Sequence, residues 1–381
     1  MGGLREARMN FDFSEDQKLL QKTARDYLDE HCGLDVCRGV LESNGTHSDA
    51  LWKGVAEMGW LGAAVPEEYG GAGFGRLELA LIAQELGRAL APIPFGPTAY
   101  LVTEALLEFG SEDQKKKHLP RLVSGELIGT FAMSERAGRS GLADVETRFT
   151  KGVLSGAKFP VPDGQLAGLA LVVAKGDAGP LLALAELDGS GVEVTPVGSI
   201  DPSRPASRIA FNGAPASALA NGAGEKAILH LLDRAAVLTA FEQIGGAERA
   251  LEVTKEFTLH RYAFGRPVAS FQAIKHRLAD IYAAIQLATS NAYYGAWALS
   301  TGAAELPVAA CGSRISASEA FDLAGKDIIQ MHGGVGFTWE FDCHMYYRRA
   351  RLLALELGSA RRWKDTLITR LQARAGASAR E

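Results

Sequence analysis

The stretch QMHGGVGFTWEFDCHMYYRRARLLALELGS, residues 330–359, decides how the rest of the chain is read. Gln330 closes an apolar helical pattern that begins near Pro307, and Gly333 and Gly334 interrupt it. Glycines lack Cβ, so they end a helix cheaply and let a ligand or another backbone come close. A second helical pattern covers 344–355 and stops at Glu356, Leu357, Gly358 and Ser359, with a C-terminal helix expected beyond.

Working outward, residues 226–260 are apolar at Ile228, Leu231, Leu232, Ala235, Leu238 and Ile244, and residues 271–299 at Ile274, Leu278, Ile281 and Ile285. Both spacings are helical, and several long antiparallel helices imply a bundle. Between 129 and 215 the texture changes to short apolar runs such as LAGLALVVAK and SRIAFNG, cut by Gly, Pro and Asp. Such runs predict a small antiparallel sheet or barrel. Ahead of it, Ser14 with Gln17 and Ser111 with Gln114 form capping boxes, and helices are expected over 51–58 and 77–90. The glycines of VPEEYGGAGFG, residues 65–75, follow no strand and open no βαβ unit, so they read as turn formers and not as a dinucleotide loop. The fold class expected is α+β: an N-terminal helical domain (9–128), a central antiparallel β domain (129–222) and a C-terminal helical bundle (223–381), with no internal repeat.

Composition narrows the function. A chain of 381 residues, 47% hydrophobic and 22% charged, builds a large core. A net charge of −5 supplies no footprint for nucleic acid, and Arg361, Arg362, Lys364, Arg370 and Arg374 read as a solvated helix face. Cys32, Cys37, Cys311 and Cys343 form no CxxC pair and read as reduced thiols, with no metal site. Neither a leader nor an apolar run of membrane-spanning length is visible, so a cytoplasmic protein is expected. No function is ascribed to MGGLREAR at the start.

Four separated motifs occur in order: VPEEYGG (65–71), GSEDQKKKHLPRLVSGELIG (110–129), RYAFGRPVASFQAIKHRLAD (261–280) and QMHGGVGF (330–337). Together they make residues 11–371 closely resemble the acyl-CoA dehydrogenase family. The resemblance implies the acyl-CoA dehydrogenase fold, an acyl-CoA substrate, an electron-transfer flavoprotein as acceptor, and FAD bound between the β domain, the bundle and a neighbouring subunit. It implies that Arg261 meets the FAD pyrophosphate across that interface, where a guanidinium pairs bidentately with phosphate. Phe264 would offer an aromatic face, Gln272 and Gln330 polar contacts, and Gly333 with Gly334 room for close approach. The plainer readings are a helix-end charge for Arg261, a core ring for Phe264 and a helix cap for the glycines. In FAMSERAGRS the family's flavin-side segment leaves the hydroxyls of Ser134 and Ser140, but Arg136 and Arg139 stand where proline and glycine are usual. Pro160, Val161 and Pro162 replace an aromatic-Ile-Thr segment, and proline donates no backbone hydrogen bond.

α,β-Dehydrogenation of a thioester removes a proton from Cα and passes a hydride from Cβ to the flavin, so a carboxylate must reach Cα. The family's usual base position matches Leu357, and the position used by some members matches Ala235. No catalytic residue is therefore assigned. Glu356 is one residue early, a turn of about 100° on a helix, and Glu242 lies seven residues beyond Ala235 on the same helix face. Glu242 reads first as the partner of an Arg or His, and His332 as a residue that orients the glycine turn. The expectation is a subunit without its own base that completes the FAD site of a homologous acyl-CoA dehydrogenase subunit in an α2β2 enzyme, on bulky acyl groups such as steroid-derived thioesters. Two alternatives stand beside it: an autonomous homotetramer with Glu242 or Glu356 as relocated base, and a catalytically silent CoA-thioester-binding scaffold.

Overall fold

The structure, a computed structural model, describes residues 13–43, 46–138 and 141–378. Six helices come first: α1 (Glu15–His31), α2 (Leu34–Glu42), α3 (Asp49–Glu57), α4 (Arg76–Arg88), α5 (Glu104–Phe109) and α6 (Glu112–Val123). The capping boxes form as expected. Ser14 and Ser111 each accept the N–H of the residue three positions on, while Gln17 and Gln114 return the bond to the cap N–H. Gly70 and Gly73 adopt positive φ in the glycine turn. Sequence reading missed α2 and the continuation into Gly96–Thr103, where the chain after the proline-bearing APIPFGP stretch winds as a π-helix straight into α5. Wide turns of this kind are rare and recur at functional sites. Here the π-helix carries Gly96, Pro97, Tyr100 and Leu101 inward.

Eight strands follow: β1 (Gly129–Ala132), β2 (Arg148–Thr150), β3 (Val153–Pro162), β4 (Leu169–Gly176), β5 (Gly179–Glu186), β6 (Val192–Val197), β7 (Ala206–Pro215) and β8 (Ser217–Ala223). They form one sheet in the order β6-β7-β3-β2-β4-β5-β8, with β1 on β4. The antiparallel sheet expected is found in most strand pairs, except that β1 and β2 both run parallel to β4. A parallel pair needs a long crossover, which the intervening chain provides. β4 is buried on both faces along LALVVA, which explains its unbroken apolar run. Leu169, Leu171 and Val173 point into the main core, whereas Ala170, Val172 and Ala174 point into a second core inside the sheet layer.

The chain returns to helix in α7 (Glu225–His260), α8 (Gln272–Thr301), α9 (Leu306–His332), α10 (Cys343–Leu355) and α11 (Ala360–Ser378), with a small hairpin of β9 (Tyr262–Ala263) and β10 (Arg266–Pro267) between α7 and α8. α4 crosses α7 with backbone against backbone. A Cβ on Gly87 would lie 1.8 Å from the Glu242 carbonyl oxygen, and one on Gly245 would lie 1.8 Å from that of Gln84. This contact sets the depth at which Glu242 sits. A second device ties the layers together: Arg349 of α10, fully buried, donates from Nε to Asp201 Oδ2 (2.6 Å), from Nη2 to Ser203 Oγ (3.0 Å), and to the carbonyls of Leu90 and Ala91.

Substituting Gly87→Ala places a methyl group where backbone already stands. The expected loss of stability is about 1–3 kcal/mol, read as a lowered unfolding midpoint in denaturant. A midpoint equal to the parent's would show that α4 and α7 are not in close backbone contact.

Candidate active site

A cavity of about 310 Å³ lies where the π-helix, the sheet and the bundle meet. Its walls are apolar, from Leu101, Phe131, Met133, Pro160 and Leu352, but its lining also includes Tyr100, Asp163, Arg204, Glu242 and Glu356. Asp163 stands in the turn after β3 with φ of 51°, and its N–H donates to the Pro205 carbonyl. That turn places its carboxylate beside Arg204, whose Nε and Nη2 donate to Asp163 Oδ2 at 3.2 and 3.0 Å. Arg204 Nη1 lies 3.6 Å from Glu242 Oε1. Burial alone would weaken the charge on Arg204, yet Asp163, Glu356 and Glu242 outweigh it and raise its pKa. The guanidinium is permanently charged and already committed on two sides.

Glu356 reaches the cavity because the chain is no longer helical there. α10 ends at Leu355, Glu356 adopts ψ of 144° and Leu357 φ of 59°. Two side chains hold this turn. Arg314, fully buried in α9, donates to the carbonyls of Leu353 and Glu356 and to Gln243 Oε1, while Trp363 Nε1 donates to the Leu357 carbonyl at 3.1 Å. The expectation that a one-residue shift would turn Glu356 away is thereby corrected: outside a regular helix the 100° rule does not apply, and Glu356 and Leu357 both line the cavity. Burial pushes the Glu356 carboxyl up to about 7 against the pull of Arg204, with Glu242 and Asp163 adding to the rise. Burial, and then the nearby Glu242, holds the Tyr100 phenol well above its ordinary value. Glu356 Oε1, Asp163 Oδ1 and the Tyr100 hydroxyl are all sealed from solvent without a well-formed hydrogen bond.

The two positions that the resemblance gives to the acid hold Ala235 and Leu357. Ala235 is wholly buried in the core, and the Leu357 side chain packs against it. Glu242 does pair with an arginine, as its first reading anticipated, while also facing the cavity. His332 is buried between Phe257 and Phe341, with Nδ1 2.6 Å from the Ile328 carbonyl, so its ring is held against the last turn of α9. Arg136 is exposed at the surface and pairs with Glu146.

The other predicted residues gather at one end of the bundle. Arg261 caps α7, Gln272 opens α8, Gln330 lies in the last turn of α9, and Gly333 caps it at φ of 63°. The Phe257–His332 stack, with ring centroids 4.1 Å apart, joins the ends of α7 and α9. Arg261, Gln272, Gln330, Gly333 and Gly334 are all exposed, and among the described residues no side-chain partner is recorded for Arg261. A Cβ on Gly334 would meet no atom of this chain. Phe264 sits at the hairpin tip with φ of 52°, beside Gly265, and is 96% exposed. The core-ring reading for Phe264 is thus corrected, whereas the cap readings of Arg261 and Gly333 hold. A free guanidinium, open glycines and a bare ring suit the phosphates and rings of a dinucleotide presented from outside the chain. Ser134 stands on the cavity wall instead, and Ser140 lies outside the described residues.

Comparison with known proteins settles the family. The N-terminal domain model of the acyl-CoA dehydrogenases matches residues 14–126 and the C-terminal domain model matches residues 222–371. This chain belongs to the acyl-CoA dehydrogenase family. It is 32% identical to the acyl-CoA dehydrogenase IpdE2 of Mycobacterium tuberculosis over 91% of this chain and 94% of that one, and 30% identical to FadE27 of the same organism over 81% and 84%. Among solved structures, it is similar to the Tcur3481–Tcur3483 steroid ACAD (TM-score 0.87, 30% identity, 95% of this chain and 99% of that one). It also matches the ChsE4–ChsE5 complex of M. tuberculosis (TM-score 0.88, 27% identity, 96% and 99%). Acyl-CoA dehydrogenases are FAD-dependent oxidoreductases acting on a CH–CH bond, and the α+β fold here is theirs. Among the described residues no helix is long and apolar enough to cross a membrane, and no cluster of His, Cys, Asp or Glu is suited to a metal ion.

Two tests follow from this geometry. A carboxyl whose folded pKa is raised holds more protons folded than unfolded, here between the ordinary 4.5 and about 7. Glu356 therefore leaves stability unaffected below that window and lowers it as pH rises through the window, by on the order of 3 kcal/mol above it. Glu356→Gln should raise the unfolding temperature at pH 8 and leave it unchanged at pH 4; an equal effect at both would remove the buried-acid assignment. Phe264→Asn should stabilise the isolated chain by about 1 kcal/mol, since asparagine tolerates positive φ; a loss of stability would show that the ring is packed.

Proposed function

We propose that this chain is the base-lacking subunit of a heteromeric FAD-dependent acyl-CoA dehydrogenase and that it completes the FAD site of a homologous partner, with α2β2 stoichiometry. One observation carries the reading: the residues suited to FAD are bare on the outside of the bundle, while the positions of the deprotonating acid hold Leu357 and Ala235. Arg261 would pair with the pyrophosphate, Gln272 and Gln330 would hydrogen-bond the cofactor, Phe264 would lie against it, and the backbone at Gly333 and Gly334 would let it approach. The bound flavin supplies hydride acceptance from Cβ. On the inner side Pro160 and Pro162 offer no N–H to a flavin edge, and Arg204 is locked by its two carboxylates, so this chain's own cavity is poorly equipped for the reaction. The likeness to the steroid ACAD and to the ChsE4–ChsE5 complex supports a bulky, steroid-derived acyl-CoA as substrate and a paired subunit as partner. An electron-transfer flavoprotein is the acceptor in this reading.

A second reading, a relocated base, has the Glu356 carboxyl in its favour: it faces the cavity with a pKa near 7, which suits a general base at neutral pH.

Co-expression with a homologous acyl-CoA dehydrogenase subunit separates the two. The chain alone should purify without flavin and without activity, and the complex with one flavin per pair of subunits. Arg261→Ala in the complex should weaken flavin retention by roughly ten- to hundred-fold, the scale of a lost charge-assisted bond, while Glu242→Gln and Glu356→Gln leave turnover unchanged. Turnover abolished by Glu356→Gln transfers the case to the relocated base, and absence of flavin from both preparations points to a silent scaffold.

A further inference from the structure

We propose that His332 is a positioning residue for one end of the bundle: as a neutral imidazole it fastens the end of α7, which leads into Arg261, to the Gly333–Gly334 turn, and a proton added at Nε2 unfastens them. What this joint does for a cofactor depends on the FAD site proposed for that end. The joint itself does not.

Three parts of the chain meet on the ring. Phe257, one turn before Arg261 on α7, stands 4.1 Å from it between centroids, and Phe341, on the segment between α9 and α10, stands 4.9 Å from it. The two phenyl rings also touch each other edge to face at 5.9 Å. The third contact is with its own helix, through the Ile328 carbonyl. Gly336 lies close as well, since a Cβ there would come within 3.0 Å of the His332 Cβ. A displaced imidazole therefore frees the ends of both helices at once.

The protons decide how the joint works. A carbonyl can only accept, so Nδ1 carries the hydrogen of the 2.6 Å bond and Nε2 of the neutral ring is a bare lone pair. Nε2 is sealed from solvent and has no partner. A second proton would create a buried cationic N–H without an acceptor, a cost that two aromatic faces offset only in part. Burial accordingly holds the imidazole below its ordinary 6.5, while the bond to the Ile328 carbonyl opposes the fall. The titratable groups around the ring are Glu256, His260 and Arg261 at the end of α7, Asp327 on α9, and Glu340 and Asp342 ahead of α10. Arg277 engages Asp327, Arg38 engages Asp342, and among the described residues none of the six bonds to the imidazole. As pH falls below 6.5, an opened ring takes up a proton that the closed ring refuses, so acid favours opening.

The test follows amide hydrogen exchange in the full-length chain, free of flavin, at pH 7.5 and 5.5. His332→Phe fills the same space without titrating and serves as reference at each pH, which cancels the intrinsic pH dependence of exchange. Peptides covering residues 255–261 and 328–336 should exchange faster in the parent than in the variant at pH 5.5, by a ratio that grows up to roughly ten-fold over that at pH 7.5, the limit set by one pH unit below 6.5. Peptides from α1 and α4 should show no such change. His332→Asn keeps a donor for the Ile328 carbonyl and does not titrate, so it should share the pH dependence of the Phe variant, which guards against a substitution that only disturbs folding. A ratio that stays constant between the two pH values, a change spread evenly over the chain, or His332→Asn behaving as the parent does would each overturn the proposal. Because the readout needs no flavin, such a failure is distinct from failure of the heteromeric reading, which rests on co-expression.

Discussion

Charge buried at a three-way junction is the constraint on which this structure turns. The loop after β6 supplies Asp201, Ser203 and Arg204, and two guanidiniums meet carboxylates there: Arg349 with Asp201, and Arg204 with Asp163 and Glu242. Neither arginine can shed its proton, so each must be paired wherever it is buried. Arg349 binds the bundle to the sheet layer and to the turn after α4; Arg204 binds the sheet layer to α7. Replacing such pairs with hydrocarbon can be neutral for stability, whereas removing one partner is costly, so their effect is to fix one arrangement of layers.

That arrangement has a chemical consequence. Glu356 is buried beside this pairing, and burial raises its pKa against the pull of Arg204, with Glu242 and Asp163 adding to the rise. The same turn that brings Glu356 inward forces Leu357 into a left-handed conformation, and Arg314 holds it from below. The cavity is thus lined by Glu356 in company with two other carboxylates, Asp163 and Glu242. Meanwhile the end of the bundle where α7 and α9 stop and α8 begins is exposed at Arg261, Phe264, Gln272 and Gln330.

Much of the fold was legible because its signals are local. Capping boxes at Ser14 and Ser111, helical periodicity from Ile228 to Ile244 and the apolar run of β4 depend on near neighbours in the chain. The placement of Arg261, Gln272 and the Gly333–Gly334 turn was legible for a related reason: they sit at helix ends, where sequence position fixes spatial position closely. The π-helix over Gly96–Thr103 was not, since nothing in its apolar pattern distinguishes a wide turn from an ordinary one.

What the sequence by itself determined is the family, the succession of helical, sheet and helical layers, and the absence of an acid at Leu357 and Ala235. Only the tertiary structure decided that Glu356 enters the cavity, that Arg204 is spent on Asp163 and Glu242, and that β1 and β2 lie parallel to β4. These facts join residues far apart in the chain; Asp163, Arg204 and Glu356 alone are separated by 41 to 193 positions. Their meeting depends on layer packing and on a turn whose dihedrals no periodicity encodes.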